Sequence, residues 1–116
     1  MDRETAQFDV RREDGVAILS ISGELDLSNV EEYELAQGEA IGTGLPVVMD
    51  FGGCEFIDSR GLQGIIETFN LATELGQPFA LAGSGPQVRR VFDLTNMANL
   101  LPYFPGVEDA VQHVKQ

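Results

Sequence analysis

The sequence is short of the residues from which most enzymatic chemistry is built. Its 116 residues hold one cysteine, one histidine and one lysine. Cys54 standing alone excludes an intramolecular disulfide and a cysteine-based metal cluster. No apolar run approaches the roughly 18 residues a membrane span needs. The start, Met1-Asp2-Arg3-Glu4, lacks the apolar stretch of a signal peptide, so a cytoplasmic domain is expected. Positive charge is also scarce, with 19 acidic residues against 7 basic and a net charge of -12. Nucleic acids and anionic membranes are polyanions and would be repelled, so neither is expected as a partner. A basic protein partner fits that charge, and so does simple solubility. No internal repeat, low-complexity tract or linker divides the chain, which reads as one domain over residues 1–116.

What is present centres on Val47 to Leu75: an apolar strand over Val47–Phe51, a tight acidic turn, then a helix. From Leu62 the apolar residues recur at Ile65, Ile66 and Phe69, the spacing of a one-faced helix. Gly76 stands where a left-handed stop belongs, and Pro78 bars continuation. Upstream, Phe8 and Val10 alternate with polar residues, Asp14-Gly15 makes a hairpin turn, and Val16–Ile21 is a nearly continuous apolar strand. Gly23 to Leu27 reads as a loop. Ser28 and Glu31 stand in capping-box register before a stripe of Val30, Tyr33, Ala36 and Ala40. Downstream come a strand at Phe79–Ala82 and the loop Ser84-Gly85-Pro86. A helix follows with Val88, Val91, Phe92 and Thr95 inward, then a short strand at Leu100-Leu101 and a C-terminal helix. The fold class is α/β: a small mixed sheet with a leading antiparallel hairpin, then parallel β-α-β units, and about four helices.

Four constellations could carry chemistry. A serine hydrolase built on Ser59 lacks a base, since the only histidine, His113, lies on the outer side of the last helix. Ile57-Asp58-Ser59-Arg60-Gly61 also supplies only one of the two glycines of a nucleophile elbow. A phosphoacceptor Asp50 would need an acidic pair for Mg²⁺ and a late basic residue, yet the sole lysine is Lys115. Glu24, Asp26, Asp50 and Asp58 match no calcium-loop pattern. Nor does any glycine-rich phosphate loop followed by lysine point to a nucleotide. No metal site, cofactor or catalytic residue is therefore expected. The fourth is Ser59 at the start of the helix, where free N–H groups and the helix dipole favour negative charge. It reads either as an N-cap or as a residue that a kinase phosphorylates. Gly61 and Gly64 leave the first turn bare for close approach by another protein, with Arg60 and Leu62 flanking the serine as a contact patch.

Gly23-Glu24-Leu25-Asp26, then Phe56-Ile57-Asp58-Ser59-x-Gly61-Leu62, then Val88 to Thr95 resemble the STAS domain of anti-sigma factor antagonists in order and spacing, over nearly the whole chain. The resemblance implies a non-enzymatic partner switch in bacterial transcription control. The unphosphorylated antagonist binds an anti-sigma factor, which is also an ATP-dependent serine kinase, and frees the sigma factor. Phosphorylation releases it, and a phosphatase resets it. By position Ser59 matches the phosphorylated serine, Asp58 the residue before it, and Asp26 the acidic residue of the neighbouring contact loop. Arg60 departs from the Ser or Thr usual after that serine. STAS domains also occur in stress-signalling assemblies and transporter tails, so a scaffold or adaptor without a phosphorylation cycle is the alternative.

Overall fold

The computed structural model describes residues 6–83 and 85–116. The charged segment Met1-Asp2-Arg3-Glu4 and Ser84 of the loop before Pro86 lie outside the described residues. Strand β1 (Gln7–Glu13) turns at Asp14 and Gly15, with φ of 58° and 77°, into β2 (Val16–Leu25). Two successive positive φ values give a turn whose twist suits a hairpin, and the two strands pair antiparallel. A single 3-10 turn, Leu27–Asn29, leads into α1 (Val30–Gly42). Strand β3 (Val47–Ile57), helix α2 (Ser59–Glu74) and strand β4 (Phe79–Ala82) follow. Then come α3 (Pro86–Leu94), the one-turn α4 (Met97–Leu100), β5 (Tyr103–Phe104) and α5 (Val107–Lys115).

The five strands run in the order β1-β2-β3-β4-β5, antiparallel at the first pair and parallel afterwards. This is the mixed α/β sheet the sequence predicts. Alternate residues of the central strands serve two cores. Leu19, Met49 and Leu81 meet Tyr33, Ile65 and Phe92 from α1, α2 and α3. Val16, Ile18, Val48 and Ala80 meet Ala110, Val111 and Val114 of α5. Cover on both faces explains why these strands are apolar without interruption. Phe51 of β3 and Phe92 of α3 stack edge to face at 5.5 Å, a geometry that adds about 0.5–1.5 kcal/mol to their burial.

Several boundaries differ from expectation. Strand β2 continues through Gly23-Glu24-Leu25, and β3 runs on to Ile57 through the stretch read as a turn. Along this pairing β3 gains one residue on β2 between Ser20 and Ser22, and another between Gly23 and Glu24. Such bulges bend a strand without ending its pairing. The cap before α1 is Asp26 with Asn29, and not the expected Ser28 with Glu31. The last strand forms after Pro102, because Asn96, at φ 64°, restarts a helical turn that takes up Leu100. Ile66 and Thr95, expected to face inward, are exposed.

Candidate functional site

The parallel strands β2 and β3 end side by side at Leu25 and Ile57, and the two loops leaving them hold the predicted residues. Carboxyl ends of parallel strands are the usual place for sites in α/β sheets. Ser59 is the first residue of α2 and is exposed. It is not the helix cap. Asp58, extended at φ -95° and ψ -176°, accepts the Gly61 N–H through Oδ1 at 2.8 Å. The Ser59 hydroxyl is left with no hydrogen-bond partner among the described residues. The N-cap reading of Ser59 therefore fails, and the role passes to its neighbour.

The other oxygen of Asp58, Oδ2, accepts the Leu27 N–H at 3.2 Å, while the Asp58 N–H donates to the Leu25 carbonyl at 3.2 Å. The carboxylate of Asp26 accepts the Ser28 N–H at 2.9 Å and the Ser28 hydroxyl at 2.6 Å. Asn29 closes this turn: its Oδ1 accepts the Asp26 N–H at 3.1 Å and its Nδ2 donates to the Glu24 carbonyl at 2.6 Å. The Asp26 turn and Asp58, distant in sequence, thus share one hydrogen-bonded rim, with Ser59 next to Asp58 on it.

The other predicted contact residues on α2 are less exposed than Ser59. Gly61 and Gly64 are buried and face inward, contrary to the expectation of a bare outer turn. A Cβ at Gly61 would stand 2.8 Å from the Leu25 carbonyl oxygen, and one at Gly64 would stand 2.9 Å from Cε2 of Tyr33. The two glycines let α2 close onto β2 and α1, which is a packing requirement. Leu62 is half-buried against the core. Arg60 pairs with α1, its Nη2 3.4 Å from Oε2 of Glu34.

The exposed apolar surface on this rim comes instead from Leu27, 66% exposed, and Phe56, 49% exposed. Phe56 and Val91 of α3 line an open groove of about 580 Å³ edged by Glu24, Glu55 and Gln87. Sequence reasoning passed over Leu27 and Phe56 as contact residues, although each large apolar side chain directly follows an acidic residue, Asp26 and Glu55.

Among the described residues, the groups that the other three chemistries would use stand apart. His113 is exposed on α5, 5.1 Å from the Phe104 ring, on the sheet face opposite α2. Asp50 accepts the Gly52 N–H at 2.9 Å, and Lys115 pairs with Asp14 at 2.6 Å. Among the described residues no three His, Cys, Asp or Glu side chains gather closely enough to hold a metal ion, so Glu24, Asp26, Asp50 and Asp58 form no such cluster. Among the same residues no helix is long and apolar enough to cross a membrane.

Known proteins share both sequence and shape with this chain. An anti-sigma-F factor antagonist, RsfB of Mycobacterium tuberculosis, is 32% identical over 104 residues, covering 87% of this chain and 83% of its own. An anti-sigma F factor antagonist of Paenibacillus polymyxa is 25% identical over 111 residues, covering 94% and 95%. The crystal structure of an anti-sigma factor antagonist from Mycobacterium paratuberculosis superposes with a TM-score of 0.87 at 31% identity, over 97% of this chain and 96% of that one. The family model of the STAS domain matches residues 7–110. With its sheet order, its exposed serine at the head of α2 and these likenesses together, the chain belongs to the STAS domain family.

Proposed function

We propose that this protein is a cytoplasmic, non-enzymatic anti-sigma factor antagonist switched at Ser59. Its unphosphorylated form binds an anti-sigma factor and frees the sigma factor. The anti-sigma factor acts as a serine kinase. Transfer of the γ-phosphoryl group of ATP to the Ser59 oxygen, with release of ADP and a proton, ends the complex, and a phosphatase restores it. The observation that carries this reading is the exposed Ser59 hydroxyl, unpartnered among the described residues, on a rim with exposed Leu27 and Phe56. The names of the relatives add support.

The energetics favour release without unfolding. A phosphate adds about -1.5 to -2 charges beside Asp58. In the free protein that group stays in water, and the α2 N-terminus offsets about 0.3–1 kcal/mol of its cost. Inside a closed interface an unpaired charge costs about 3–5 kcal/mol. Affinity should therefore fall by roughly two to three orders of magnitude. Incubation with the kinase recovered by pull-down and with ATP should add one phosphate to the wild type and none to Ser59→Ala. Modification elsewhere, or undiminished binding by the phosphorylated chain, would refute the assignment.

A further inference from the structure

We infer that Asp58 is a positioning residue through which a charge on Ser59 reaches the Leu27–Asn29 turn. This rests on the reading of Ser59 as the switch, and it adds a second action of the phosphate beyond occupying the interface.

The observation is the forked use of one carboxylate. Oδ1 of Asp58 holds the Gly61 N–H at 2.8 Å and so caps α2, while Oδ2 holds the Leu27 N–H at 3.2 Å, 31 residues away in sequence. The Asp58 N–H fixes the same pair of loops by donating to the Leu25 carbonyl at 3.2 Å. Downstream of Leu27 the turn is held by its own acidic residue, Asp26, through Ser28 and Asn29. Among the described residues the bond from the Leu27 N–H to Asp58 Oδ2 is the only side-chain hydrogen bond between the α2 cap and that turn.

A phosphoryl group on Ser59 would be a dianion on the residue next to this carboxylate. It repels Asp58 and competes for the same N–H groups at the head of α2. Of the two bonds the longer, more exposed one to Leu27 yields first, because the cap is shorter and reinforced by the helix dipole. The Leu27 side chain, 66% exposed and part of the apolar rim, then loses its anchor. Phosphorylation therefore loosens one arm of the docking face as well as charging the other.

The test uses the full chain, labelled with ¹⁵N, and needs no partner. Solvent exchange of the Leu27 and Gly61 amides is compared in the wild type, Asp58→Asn, a chain with phosphoserine encoded at position 59, and the combination. Asparagine keeps an oxygen for Gly61 but offers no second acceptor to Leu27. Asp58→Asn should speed Leu27 exchange tenfold or more while Gly61 stays within twofold. Phosphoserine should do the same in the wild-type background and add less than twofold in Asp58→Asn. A phosphoserine chain with Leu27 exchange unchanged overturns the inference, and so does an undiminished phosphoserine effect in Asp58→Asn. The phosphoserine chain retains Asp58, so it decides the matter even where Asp58→Asn fails to fold. Because exchange is read on the isolated chain, a failed relay is distinct from a failed switch, which shows as undiminished partner binding.

Discussion

The ring of Tyr33 on α1 occupies the space a side chain at Gly64 on α2 would need, and its hydroxyl lies 3.0 Å from the Gly64 carbonyl oxygen. The same hydroxyl bonds to Thr68, which in turn donates to the Gly64 carbonyl at 2.9 Å and accepts from Gln37 at 2.7 Å. This buried network fixes the distance between α1 and α2, and so the position of Ser59 over the end of β2. Gly64→Ala would put a methyl 2.9 Å from Cε2 of a fully enclosed ring. Overpacking of this kind costs about 1–3 kcal/mol, to be seen as a lower urea midpoint with the slope unchanged.

Stability should separate the two neighbours at the head of α2. Ser59→Ala removes a hydroxyl with no partner among the described residues and should shift stability by no more than about 0.5 kcal/mol. Asp58→Ala removes the cap and should cost about 0.5–2 kcal/mol. Were Ser59 the true cap, denaturation curves would rank the two variants the other way round.

Asp26 can be divided into its turn-forming and charged roles. Asparagine caps as well as aspartate, so Asp26→Asn should retain the bonds from Ser28 and the stability of the wild type. Asp26→Ala should lose about 1 kcal/mol. If the charge itself meets a basic partner surface, both variants lose affinity in a pull-down or titration, and that loss shrinks as salt is raised.

Alkaline pH should weaken the fold through Cys54. Burial pushes its thiol up from 9.0 to about 11, a shift that backbone hydrogen bonding at Phe56 and Leu25 only partly opposes. The folded state then holds its proton where the unfolded chain has lost it. Stability is therefore full below pH 9 and declines as pH rises toward about 11, at roughly 1.4 kcal/mol per pH unit. Tyr33 acts in the same sense at higher pH, since burial raises its phenol above 10.0. Urea titrations at pH 8 and pH 10.5 should differ for the wild type, and the difference should shrink in Cys54→Ala. A thiol reagent should label Cys54 slowly in the folded protein and fast in urea.

Much of this architecture was legible because the forces involved are local. The Asp14-Gly15 turn, the Leu62-to-Phe69 spacing of α2, the stop at Gly76 and Pro86 in the first turn of α3 each depend on residues within a few positions. Alternation and continuity of apolar residues gave the hairpin and the buried parallel strands, because period and burial are written in residue order. Ser59, Asp58 and Asp26 were legible as a pattern in order and spacing.

Other features exist only once distant segments meet. Whether Gly23–Leu25 is loop or strand depends on β3 alongside it, and β3 stays paired only by taking two extra residues along the way. Gly61 and Gly64 are small because Leu25 and Tyr33 lie against them, a reason invisible from their own neighbours. Asp58 caps α2 and also ties Leu27, a link across 31 residues that no local rule encodes. Residue order determined the elements and put a serine at the head of α2, since turns, caps and periodicities act over a few residues. Folding alone decided which glycines face inward and which carboxylate joins the two loops, because those are contacts between surfaces that the chain brings together only in three dimensions.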